Sequence, residues 1–96
     1  MSRRKYRTEL EIISDILEII METGLIGIPI TTLVRDANLS YDVACDKMEK
    51  LVKSELVKIH VEKNNMFVIT ENGIKFFQEL QKFEDFMQEI RSLNSI

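Results

Sequence analysis

Cysteine, histidine, proline and glycine are all scarce in this chain. Of its 96 residues one is cysteine, one histidine, one proline and three glycine. A lone Cys45 cannot close an internal disulfide, and a single His60 cannot form the ligand cluster that zinc or iron sites require, so neither metal nor other cofactor is expected. No Gly-rich phosphate loop exists. His60 has no nucleophile near it in the sequence, and Cys45 sits among carboxylates, which is the wrong setting for a reactive thiolate. An enzyme is therefore not expected. There is also no long uninterrupted apolar run, so neither a membrane span nor a signal peptide is supported, and the expectation is a soluble, cytoplasmic protein. Internal repeats and low-complexity segments are absent too.

An excess of positive charge is likewise missing. The formal charge is −3, which is not the balance of a protein that coats nucleic acid all over its surface. The charges are segregated, however. Arg3, Arg4, Lys5 and Arg7 put four cations and no anion in the first seven residues, whereas acidic residues prevail near the C-terminus. Any nucleic-acid contact should be sought at the N-terminal end.

With 45% hydrophobic and 30% charged residues, the chain fits one compact domain. Thr8 followed by Glu11 has the form of a capping box, and behind it Leu10, Ile13, Ile16, Leu17, Ile20 and Met21 recur at helical spacing. Thr23-Gly24 should end this first helix. In the connector that follows, Pro29 rules out a helix and Gly27 permits a bend, leaving at most a short edge strand. Thr31-Thr32 offers an N-cap for a two-turn helix ending near Ala37-Asn38. Ser40 caps the next helix, whose inward stripe is Ala44, Met48, Leu51 and Val52. Two short helices so joined make a helix-turn-helix. From Leu56 to Val61 the period changes: Val57, Ile59 and Val61 alternate with polar residues, as in a strand with one wet face. Lys63-Asn64-Asn65 forms the turn and Met66 to Ile69 the return strand. Thr70 caps a last helix. The order helix, helix, helix, hairpin, helix predicts a mainly α fold with a small β-hairpin: a basic arm over residues 1–7, a winged helix-turn-helix over 8–70 and a C-terminal helix over 71–96.

In that last helix Phe76, Leu80, Phe83, Met87 and Ile90 are spaced four, three, four, three, the seam of a coiled coil. The helix would be roughly 35 Å long, more than a small body can shield, so Phe86 and Leu93 join the seam as a dimer handle. The spacing does not decide how two such helices run.

The helix starting after Ser40 is the candidate recognition helix, with Tyr41 nearest the bases. Asp42, Asp46 and Glu49 share one stripe and repel phosphate, while Lys47 and Lys50 lie on the neighbouring one and suit phosphates. Arg3, Arg4, Lys5 and Arg7 form a candidate arm along the backbone of a duplex, against the plainer reading of a solubilising tail. Lys63 and Asn64 offer donors from the wing.

Taken together, Leu10-Glu11-Ile12-Ile13 with Ile16-Leu17-Glu18, Ala37-Asn38-Leu39-Ser40-Tyr41, and Thr70-x-x-Gly73 with Lys82-Phe83 resemble the small archaeal dimeric winged-helix DNA-binding proteins of the Sulfolobus ten-kilodalton type. The resemblance spans nearly the whole chain. It implies a long C-terminal helix that pairs with its mate in an antiparallel coiled coil, holding two DNA-binding heads apart. It also implies double-stranded DNA as partner, in a nucleoid-associated architectural or transcription-regulating role, with Tyr41 and its helix facing DNA and Lys63 and Asn64 on the wing. The alternative reading is a winged helix used for protein contacts within a transcription or chromatin assembly, with little DNA binding of its own. A ligand-sensing regulator has no pocket visible in the sequence.

Overall fold

Thr8 opens the fold in the computed structural model, which describes residues 7–94. Its hydroxyl accepts the Glu11 N–H at 3.1 Å while the Glu11 carboxylate accepts the Thr8 N–H at 2.9 Å, a complete capping box that starts α1 (Glu9–Glu22). Helix α1 buries Ile13, Ile16, Leu17 and Ile20. Leu10, expected on the same stripe, is exposed because it lies one turn beyond the body that the others cover. At the far end Gly24 takes φ +60 and the chain turns.

The connector contributes one antiparallel bridge, Ile28 to Phe67, the short edge strand expected around Pro29. Gly27 makes it possible, since a Cβ there would lie 2.8 Å from the Phe67 carbonyl oxygen. Helix α2 (Ile30–Ala37) begins earlier than expected. Pro29, not Thr31 or Thr32, holds the N-cap position, without a side-chain hydrogen bond. Proline fixes φ near the value the entry needs, and Ile30 packs against the core, so the helix starts there. Asn38 closes it in the left-handed conformation, and Ser40 caps α3 (Tyr41–Lys53) by accepting the Val43 N–H at 3.2 Å.

Strands β1 (Val57–His60) and β2 (Met66–Ile69) pair antiparallel with Val57 opposite Ile69 and His60 opposite Met66. Val61 was expected to continue the alternation, but it opens a single turn of 3₁₀ helix (Val61–Lys63) and is exposed. The tip needs those residues to reverse direction, with Asn64 and Asn65 both at positive φ. Helix α4 (Glu71–Asn94) then runs back across the body. Its entry is tied to the turn after α3: the Thr70 hydroxyl donates to the Glu55 carbonyl at 2.7 Å and accepts the Gly73 N–H at 2.9 Å. Gly73 lets the helix lie flush on the Leu56 backbone, where any Cβ would collide.

One core joins α1, α2, α3, the hairpin and the first half of α4 through Ile16, Leu17, Leu33, Met48, Val57, Phe67 and Phe77. Leu80, assigned by spacing to the intermolecular seam, is buried in this core instead, because α4 still lies against α1 at that point. Phe76 is at the edge of exposure, Phe83, Phe86 and Leu93 are exposed, and Met87 and Ile90 are half-buried. The architecture is a mostly helical winged helix with a two-stranded hairpin and a long C-terminal helix. No helix among the described residues is long and apolar enough to cross a membrane.

Candidate nucleic-acid interface

Helix α3 shows three different flanks around its buried line of Ala44, Met48 and Leu51. By helical geometry the outermost line carries Asp42, Asp46, Glu49 and Lys53. All four are exposed. Toward the hairpin lie Tyr41, Cys45 and Val52, which with Met48, Ile59, Asn65 and Phe67 line an open groove of about 500 Å³. Toward the start of α1 lie Val43, Lys47 and Lys50.

The lysines on this third flank do not stand alone. The Lys47 ammonium is 3.3 Å from the Glu9 carboxylate and 3.6 Å from Asp46, and that of Lys50 is 3.6 Å from both. Lys47 is largely covered, with only 14% of its side chain exposed, whereas Lys50 is open to solvent at 57%. Lys53 pairs with Glu49 one turn back at 3.6 Å. The acidic line is thus partly neutralised from within the helix, and the cations most suited to phosphate already hold carboxylates. Sequence reasoning missed Glu9 here, since 38 residues separate it from Lys47 and its only local signal is its place in the first turn of α1.

Tyr41 is exposed at the first position of α3. The Cys45 side chain one turn on, and after it Asp42, push the phenol's pKa upward, so it stays a neutral donor throughout the physiological range. Lys63 and Asn64 are exposed at the wing tip, where they border a shallow depression with Leu25, Ile26 and Met66. Leu25 and Ile26 are the most exposed large apolar residues described, at 92% and 80%. No signal in the sequence marked them out.

Arg3, Arg4 and Lys5 lie outside the described residues. Arg7, read from the sequence as part of the same arm, belongs to the folded body. Its guanidinium donates to Asp15 at 2.8 Å, to the Ala37 carbonyl at 2.9 Å and to the Asn38 carbonyl at 3.1 Å.

A family model for the winged helix-turn-helix matches residues 6–88 of the chain. The chain belongs to that family. Among solved structures it is similar to the crystal structure of Sso10a-2, a DNA-binding protein from Sulfolobus solfataricus, with a TM-score of 0.78 and 25% sequence identity, covering 93% of this chain and 90% of that one. This supports the resemblance to the small Sulfolobus winged-helix type that the sequence segments suggested. Comparison with curated proteins found no match.

Proposed function

We propose that this winged helix binds double-stranded DNA as a homodimer, in an architectural or regulatory role. The observation that carries the reading is the likeness to a DNA-binding protein over nearly the full length of both chains. In this reading Arg3, Arg4, Lys5, Lys50 and Lys63 contact phosphates, with Asn64 beside them on the wing and Tyr41 closest to the bases. Lys47 joins them only when it exchanges Glu9 for a phosphate. Two heads are joined through Phe83, Phe86, Met87, Ile90 and Leu93, with Phe76 at the margin of that surface. Large exposed apolar residues in a row on one helix favour such an interface.

A fluorescence-anisotropy titration of duplex DNA with the full chain and with the chain lacking residues 1–6 tests the assignment. Loss of about three phosphate contacts should weaken binding and flatten its salt dependence by roughly 2.7 in log–log slope. Equal affinity and equal slope for the two proteins would remove the arm from the interface.

One observation favours a second reading. Each lysine of α3 is paired within the chain, and its outer line is mainly acidic. A module docking on a basic protein surface would show the same face. Recovery of a stable partner that is lost on reversing Asp42, Asp46 and Glu49, with no DNA binding at low salt, would support this reading over the first.

A further inference from the structure

The carbonyls at the end of α2 have to find donors, because a helix leaves its last four without intrahelical partners. Two are closed locally: Leu39 N–H donates to Val34 at 3.1 Å and Asn38 N–H to Arg35 at 3.2 Å. The Ala37 carbonyl and that of Asn38 itself receive the Arg7 guanidinium, which spans 30 and 31 residues of sequence to reach them. The same group holds Asp15, in the second turn of α1. A cation at the negative end of a helix is favoured, and only arginine offers a planar fork of donors that can serve two carbonyls and a carboxylate together.

Asn38 is the left-handed residue on which the chain pivots from α2 into α3, with φ 56 and ψ 53. The turn has only Asn38, Leu39 and Ser40 to set the angle between the two helices. Arg7 thus clamps the pivot of the helix-turn-helix to α1 from outside the motif. We infer that Arg7 is a positioning residue for the recognition helix and not one of the phosphate contacts. Its donors are turned inward, and its side chain is only 21% exposed.

This inference rests on the DNA-binding reading for its functional meaning, and the test separates the two. Three full-length proteins are compared: the parent, Arg7→Lys, which keeps the charge and loses the fork, and Arg7→Gln, which loses both. Duplex DNA binding is followed by anisotropy across a salt series well below each protein's Tm, and amide exchange of Leu39 to Val43 by NMR. The expected result is that both variants bind about tenfold more weakly with the parent's salt slope, and that the turn amides exchange faster in both. Lysine should not rescue. Parent-like affinity for Arg7→Lys, together with a slope flatter by about 0.9 for Arg7→Gln, would make Arg7 a phosphate contact and overturn the inference. A lowered Tm with unchanged affinity in both variants would reduce Arg7 to a general structural role and overturn it as well. If the parent shows no binding at low salt, the DNA-binding reading itself fails, and exchange at the turn still decides. Faster exchange confined to Leu39 to Val43 supports the clamp, and unchanged exchange refutes it.

Discussion

Gly73 has no freedom to be anything else. A Cβ there would run into the Leu56 carbonyl oxygen and stand 2.7 Å from the Ile69 side chain, so Gly73→Ala must push α4 off the body. Overpacking of this kind costs about 3 kcal/mol, and chemical denaturation should show a loss of that size. Thr70→Val removes the Gly73 cap and the bond to Glu55 together, and about 1–2 kcal/mol of stability should go with them. These residues were legible in the sequence as a Thr-x-x-Gly segment because capping acts over three residues. Thr8, Asn38 and Ser40 were legible for the same reason, each owing its role to groups close by in the chain. Arg7 and Glu9 were not. Their partners include groups 31 and 38 residues away, and no local pattern distinguishes a cation bound for a carbonyl from one bound for solvent.

At the level of the element, the lysines of α3 are contested between carboxylates of this chain and the phosphates of a DNA backbone. Glu9 holds both Lys47 and Lys50. Pairs made by a carboxylate as open to solvent as Glu9 contribute little to stability, so Glu9→Gln should leave Tm within a few degrees of the parent. It should also release Lys47 for phosphate and loosen Lys50, strengthening duplex binding several-fold and steepening its salt slope by about 0.9, as an anisotropy salt series would show. A weaker complex would mean that these lysines do not face DNA. The wing and the last helix show why periodicity stops short of structure. Val61 keeps the strand period but falls where the chain must turn, and Leu80 keeps the heptad period where α4 still covers its own core. Spacing reports which residues share a face; what that face meets depends on where neighbouring elements end.

The described residues span 54 × 28 × 20 Å, drawn out by the length of α4. Beyond Leu80 the helix no longer buries its apolar side chains in the core, and Phe83 and Met87 border an open groove of about 570 Å³ that also includes the exposed Leu10. A second copy covering that stripe is the arrangement proposed here. Light scattering at tens of micromolar should then report twice the chain mass of 11.3 kDa. Phe83→Asp or Ile90→Asp should return it to the monomer, whereas Leu80→Asp should unfold the protein. A parent that is monomeric at that concentration would leave the stripe without this role.

Whether the winged helix is a DNA-binding head is tested most directly by the slope of log affinity against log salt for the full chain and a mixed-sequence duplex. Phosphate contacts by Arg3, Arg4, Lys5, Lys50 and Lys63 in each head predict a slope of about −4.5 for one head on the duplex. Absence of binding at low salt, or affinity that does not change with salt, would contradict the account.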